Sequence, residues 1–141
     1  MNSAIERLLS LRVADAMRRQ VTTMPADLTM TEAAKGLLYN KVSGVPVVDG
    51  RDHCVGVLSA VDFVRREVES PAAERNEGDK VLTYMSSTVH SIESDATLID
   101  AARGMCRHHV HRLPVLDRAG QVVGLISSLD LVASMVHAIE E

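Results

Sequence analysis

The chain has 141 residues, 46% of them hydrophobic, 24% charged and only 2% aromatic. A chain of this length buries enough surface to fold as one compact unit, or as two small halves sharing a core, without a metal or disulfide staple. Its balance is globular rather than disordered, and a formal net charge of −4 with no tryptophan argues against a nucleic-acid face, which needs clustered positive charge and rings for bases to stack on.

Residues 1–11 read as a short amphipathic helix with Ile5, Leu8 and Leu9 on one face. No secretory h-region stands there, and no later apolar run approaches the roughly 18 residues of a membrane span, so a cytoplasmic location is expected. Val13-Ala14-Asp15-Ala16-Met17 then opens a pattern that returns 68 residues on as Val81-Leu82-Thr83-Tyr84-Met85. The offset holds without a gap. Asp27-x-Thr29 becomes Asp95-x-Thr97, Ala33-Ala34-x-Gly36 becomes Ala101-Ala102-x-Gly104, and Pro46-Val47-x-Asp49 becomes Pro114-Val115-x-Asp117. About a third of the aligned positions are identical, which marks an internal duplication.

Each copy follows one grammar. A short strand (Val21-Thr22-Thr23; Val89-His90-Ser91) leads through a polar turn to a helix opened by Thr29-x-x-Glu32 or Thr97-x-x-Asp100. A hydroxyl with an acid three residues on is a capping box. These helices run to about Lys41 and His109. Val45 to Val48 and Leu113 to Leu116 are short buried strands, with Pro46 and Pro114 at or near the strand start, where a missing N–H matters least. Turns at Asp49-Gly50 and Asp117 to Gly120 lead to further strands, Cys54 to Leu58 and Gln121 to Ile126. Gly56-Val57-Leu58-Ser59-Ala60-Val61-Asp62 and Gly124-Leu125-Ile126-Ser127-Ser128-Leu129-Asp130 then carry each strand through a tight turn into a final helix.

The polar stretch 69–79 holds Pro71 and Gly78, lacks periodicity and reads as a linker. The expected divisions are thus an N-terminal helix over 1–11, repeats over 12–68 and 80–137, and the linker over 69–79. Each repeat alone is marginal for an independent core. The expected fold is α/β (α+β): two β-α-β-β-α repeats packed sheet to sheet with internal pseudo-two-fold symmetry.

The remaining signals are weaker. The basic pairs Arg18-Arg19 and Arg65-Arg66 read as solvated helix ends. Cys54 and Cys106 form no paired spacing and read as free thiols in a reducing compartment. His108-His109-x-His111 lacks the further ligands and spacing of a structural zinc site, so no metal is expected. No phosphate-binding loop, dinucleotide fingerprint, metalloprotease helix or nucleophile elbow is present, so the chain is expected not to be an enzyme.

In order, Val13-x-Asp15-x-Met17, Thr23 with Asp27, Ala33-Ala34, Val42-Ser43-Gly44-Val45-Pro46-Val47-Val48-Asp49 and Gly56 to Asp62 make up the first copy. Met85, Ser91, Asp95, Ala101-Ala102, Val110-His111-Arg112-Leu113-Pro114-Val115-Leu116-Asp117 and Gly124 to Asp130 make up the second. This ordered set resembles the CBS domain family, two motifs in tandem forming the arrangement known as a Bateman module. The resemblance covers roughly residues 12 to 136.

It implies a regulatory module that binds an adenosine-containing ligand (AMP, ADP, ATP, S-adenosylmethionine or an NAD-type nucleotide) between its repeats, and that commonly dimerises. The ligand is regulatory, and no obligatory cofactor is implied. Carried over by position, the resemblance nominates Thr23, Ser59 and Asp62 in the first copy. In the second it nominates Ser91, His111, Arg112, Leu113, Ser127 and Asp130.

The chemistry agrees. An ionised Asp62 or Asp130 accepts hydrogen bonds at both oxygens and suits the vicinal hydroxyls of a ribose. The same Ser-x-x-Asp spacing also serves a plain helix cap. His111-Arg112 stands where the first copy has Ser43-Gly44, so phosphate contacts are expected mainly from this pair, Arg offering a planar fork of donors. The chain thus reads as a non-catalytic sensor that acts through a homodimer, a regulated enzyme or a transporter. A ligand-free dimerisation scaffold is the alternative.

Overall fold

The computed structural model describes residues 3–75 and 78–140. Met1 and Asn2 of the expected first helix, and Asn76 and Glu77 of the expected linker, lie outside the described residues. In chain order the elements are α1 (Ser3–Ser10), α2 (Val13–Ala16), β1 (Met24–Pro25), α3 (Met30–Asn40), β2 (Gly44–Val48), β3 (Cys54–Ser59) and α4 (Ala60–Glu69), followed by α5 (Val81–Tyr84), β4 (Ile92–Glu93), α6 (Leu98–His108), β5 (Arg112–Leu116), β6 (Val122–Ser127) and α7 (Ser128–Glu140). Two three-stranded mixed sheets result, ordered β1-β2-β3 and β4-β5-β6.

Local chemistry sets the helix limits. The Glu32 N–H donates to Thr29 Oγ1 at 3.1 Å and the Thr29 N–H to the Glu32 carboxylate at 3.2 Å, the capping box the spacing predicts. Thr97 and Asp100 repeat it at 3.0 and 3.2 Å. Hydrogen bonds from Thr29 and Thr97 hold the Glu32 and Asp100 carboxyls below their ordinary pKa values. Both helices end on a residue in the left-handed region, Lys41 (φ 55°) and His109 (φ 54°).

In each sheet the central strand pairs parallel with the short first strand and antiparallel with the third. The first strands differ from expectation, lying at Met24–Pro25 and Ile92–Glu93 rather than over 21–23 and 89–91. β-Branched residues favour the earlier positions, but pairing decides: Met24 and Ile92 sit opposite Val47 and Val115. Pro46 is the third residue of β2, not its start. It is tolerated in a central strand because β1 pairs only with Val47 and Val48, so its ladder makes no demand on the Pro46 nitrogen.

The compact units are cut differently from the sequence repeats. One is Thr22–Val89; the other joins Met1–Val21 to His90–Glu141. The helical turn opening each repeat therefore completes the unit built on the other. The Val13 and Ala14 N–H groups donate to the carbonyls of Ala96 and Ser94 at 2.8 and 2.9 Å, while those of Val81 and Leu82 donate to Leu28 and Ala26 at 2.9 and 3.1 Å. Val13 and Val81 are fully buried, each in its adopted unit.

The glycines that open the Ser-x-x-Asp stretches make this exchange possible. A Cβ on Gly124 would lie 2.5 Å from Met17 Sδ and 3.0 Å from the Arg18 carbonyl, and one on Gly56 would lie 2.5 Å from Met85 Sδ and 2.8 Å from the Ser86 carbonyl. Beside them, Arg18 and Leu125 exchange backbone hydrogen bonds at 2.8 and 2.9 Å, as Ser86 and Val57 do at 3.0 and 2.9 Å.

The N-terminal helix α1 lies against α7, where the Arg7 guanidinium donates to the Ala138 carbonyl at 2.6 Å. The expectation that Arg65-Arg66 is a solvated helix end fails. Arg66 is buried and forms a two-pronged pair with Asp79, both bonds 2.8 Å, while Arg65 turns onto Asp62. Helix spacing leaves room for a solvated pair, but a carboxylate from the end of the linker and one from the preceding turn claim these two guanidiniums.

Candidate functional site

Each hairpin delivers its second strand into a helix at a serine, Ser59 ending β3 and Ser127 ending β6. The first N–H groups of a helix lack intrahelical partners, and in both copies the aspartate three residues on turns back to cap. The Ser59 N–H donates to Asp62 Oδ2 at 2.8 Å and the Ser127 N–H to Asp130 Oδ2 at 2.8 Å. The Asp130 N–H also donates to Ser127 Oγ at 3.2 Å. Both Ser-x-x-Asp stretches are thus helix caps. The cap engages one carboxylate oxygen of each, and what faces the other, Oδ1, distinguishes the copies.

Cross-strand register sets Gly44 opposite Ser59 and Arg112 opposite Ser127. The Ala60 N–H donates to the Ser43 carbonyl at 2.9 Å and the Ser128 N–H to that of His111 at 2.8 Å. His111-Arg112 and Ser127 to Asp130 are therefore brought to one corner of their unit, as Ser43-Gly44 and Ser59 to Asp62 are in theirs. Thr23 and Ser91 precede β1 and β4 and stand at the same end of each sheet, but further along the central strand, since the parallel pairing begins opposite Val47 and Val115. Leu113 differs from the other nominated residues. Its side chain is core, 1% exposed, so it offers a ligand no side-chain surface.

Asp62 is buried, its side chain 6% exposed. Its Oδ1 accepts from Arg65 Nη2, and the same nitrogen donates to the Tyr84 carbonyl at 2.8 Å. Ala133 takes the corresponding place in the second repeat. There Asp130, 15% exposed, has Arg18 Nε 3.7 Å from Oδ1, an ion pair beyond hydrogen-bonding distance. The Arg18 side chain is 67% exposed although its backbone is pinned to Leu125.

Sequence reasoning passes over both arginines. Arg65 carries a signal, three residues from Asp62 on one helix. Arg18 carries none, because it meets Asp130 only through the exchange of the opening helical turn. Nearby, the His90 and His108 rings stack with centroids 3.7 Å apart. Desolvation, then His90 and Arg107, push the His108 pKa below its ordinary value. Among the described residues no group of three His, Cys, Asp or Glu side chains is arranged to hold a metal, and no helix is long and apolar enough to cross a membrane.

A CBS domain model matches the chain twice, over residues 13–69 and 80–137. The chain belongs to the CBS domain family. A CBS domain-containing protein of Dictyostelium discoideum is 28% identical over 140 residues, covering 94% of this chain and 96% of the relative. The CBS-pair protein CBSX2 (Arabidopsis thaliana), solved in complex with AMP, has a TM-score of 0.81 at 25% identity, covering 94% of this chain and 100% of that one. The CBS domain pair of protein MJ0100, solved with 5′-methylthioadenosine and S-adenosyl-L-methionine, shares the fold, with a TM-score of 0.74 at 23% identity over 86% of this chain and 97% of that one. Of some curated relatives the chain spans much less, 25% of the homoserine O-acetyltransferase of Methanosphaerula palustris. The two CBS matches begin at Val13, the first residue of α2, and at Lys80, just before α5, the turns that complete the unit built on the other repeat.

Proposed function

We propose that this CBS pair is a non-catalytic regulatory module that senses an adenosine-containing ligand, with AMP, ADP, ATP, S-adenosylmethionine and NAD-type nucleotides as the candidate class. The observation that carries the reading is the pair of Ser-x-x-Asp corners, above all Ser127 to Asp130. There a partly exposed carboxylate stands beside Arg18 and next to the His111-Arg112 strand end. The carboxylate suits ribose hydroxyls, and Arg18 and Arg112 suit a phosphate. The AMP complex of CBSX2 supports the ligand class. Ser59 and Asp62 form the corresponding corner of the first repeat, with Thr23 flanking it as Ser91 and Leu113 flank the second.

Ligand binding transmits a signal only if the ligand prefers one arrangement of the protein over another. A homodimer, or a regulated enzyme or transporter, is the proposed recipient. For the homodimer the support is a duplicated exposed apolar stripe, Val61, Val64 and Val68 on α4 and Leu129, Val132 and Val136 on α7. A reducing cytoplasm accords with the unpaired Cys54 and Cys106.

The alternative, a ligand-free dimerisation scaffold, has one observation in its favour: both aspartates already serve as caps. Thermal unfolding with AMP, ADP, ATP, NADH and S-adenosylmethionine separates the two. A ligand at 100 times its Kd stabilises by about 2.7 kcal/mol, which raises the Tm by roughly 8 °C for a domain of this size. The absence of any shift at millimolar concentrations leaves the scaffold standing and the sensor refuted.

A further inference from the structure

We propose that Arg65 is a built-in plug: it holds the Asp62 corner of the first CBS repeat closed, so that an anionic adenosine ligand enters only the Asp130 corner, and Arg65 thereby sets the number of ligands bound. This inference rests on reading the Ser-x-x-Asp corners as ribose seats.

Both oxygens of Asp62 are engaged, Oδ2 by the Ser59 N–H and Oδ1 by Arg65 Nη2. With the Asp62 side chain this enclosed, a ribose hydroxyl reaches those oxygens only by displacing the guanidinium. Both bonds use the ionised carboxylate, but the guanidinium adds a positive charge of its own that an uncharged ribose hydroxyl does not replace. Arg65 is also held from the other side, because the same nitrogen donates to the Tyr84 carbonyl at 2.8 Å. The Asp62 side chain, 6% exposed, offers little surface to a ligand while Arg65 stays in place.

The Asp130 corner is arranged the other way. With Ala133 where the first repeat has Arg65, nothing on α7 reaches the carboxylate from that position, and among the described residues the cation facing Asp130 Oδ1 is Arg18, at the longer distance of 3.7 Å. The remaining cationic side chains are redistributed in the same sense. Arg18, His111 and Arg112 of the Asp130 corner stand where the Asp62 corner has Ser86, Ser43 and Gly44. In one corner the arginine neutralises the carboxylate from within; in the other, arginines stand around an accessible carboxylate, where a phosphate attached to the ribose would meet them.

Isothermal titration with AMP, run on the full chain, tests the plug. The expected results are one AMP per wild-type chain, two for Arg65→Ala, which copies the residue standing at Ala133, and a return to one for Arg65→Ala combined with Asp62→Ala. Backbone amide NMR of the wild type provides a measurement that needs no variant to fold: AMP should move the Ser127 to Asp130 amides and leave Ser59 to Asp62 in place. Two AMP per wild-type chain, movement centred on Ser59 to Asp62, or an unchanged count in a folded Arg65→Ala overturns the plug while leaving the sensor reading intact. Absence of AMP binding to every form refutes the sensor reading, and the plug with it.

Discussion

Arg66 on α4 and Asp79 just ahead of α5 make the most enclosed ion pair among the described residues, their side chains 11% and 10% exposed. The pair ties the end of the linker to the helix before it through two 2.8 Å hydrogen bonds, with the Arg66 guanidinium 5.7 Å from the Tyr84 ring centroid. The second repeat fills the corresponding places with Ser134 and Leu11, so the fold also accepts an uncharged solution. Asp79→Leu alone leaves a mostly buried guanidinium without its carboxylate. Breaking such a pair costs about 3 kcal/mol, the low end of the usual range, since this one lies just beneath the surface.

The double variant Arg66→Ser with Asp79→Leu removes both charges, copies the second repeat and should regain most of the loss. Urea unfolding followed by far-UV circular dichroism reads the difference. With a slope of about 2 kcal/mol per molar urea, the single variant lowers the midpoint by roughly 1.5 M and the double variant by under about 0.5 M. A single-variant shift below about 0.3 M, or a double-variant loss equal to the sum of the two single losses, refutes the reasoning.

The pair also carries a pH signature. Hydrogen bonds from Arg66 hold the Asp79 carboxyl below its ordinary value of 3.8, so between the folded and unfolded pKa values the unfolded chain binds more protons. The stabilisation is complete above roughly pH 5 and is lost as pH falls through the folded value. In the double variant that component of acid sensitivity should disappear.

Other positions test the backbone. Gly56→Ala puts a Cβ 2.8 Å from the Ser86 carbonyl, and because backbone rather than a flexible side chain must yield, a loss of about 1–3 kcal/mol is expected as a lowered Tm. Gly50→Ala, with nothing within 4 Å, is the control, and equal losses at both positions would contradict the close-approach explanation. His109→Gly should raise stability by about 0.5–1 kcal/mol, because glycine occupies the left-handed cap without a Cβ penalty. A lowered Tm there would mean that the imidazole makes contacts worth more than the strain.

The parts of this fold legible in the sequence are those that depend on spacing along the chain. Thr29 with Glu32 and Thr97 with Asp100 cap their helices because a capping box is complete within four residues. The hairpins of Val45 to Leu58 and Leu113 to Ile126 follow from apolar runs separated by short turns. The strand limits at Met24 and Ile92 were less legible, because a two-residue strand owes its position to its partners Val47 and Val115 rather than to its own propensity.

The duplication at an offset of 68 residues, the two Ser-x-x-Asp caps and membership of the CBS family are determined by the sequence by itself, since local pattern and its recurrence carry them. Only the tertiary structure decides that Val13 packs with the second repeat and Val81 with the first, that Gly56 and Gly124 admit Met85 and Met17, and that Asp62 meets Arg65 while Asp130 meets Arg18. Those partners, Arg65 apart, are brought together from distant parts of the chain. Even for Arg65, helix spacing makes the contact possible without specifying it. The two aspartates are the same residue in the same cap, and the difference between them lies in which arginine the packing brings within reach.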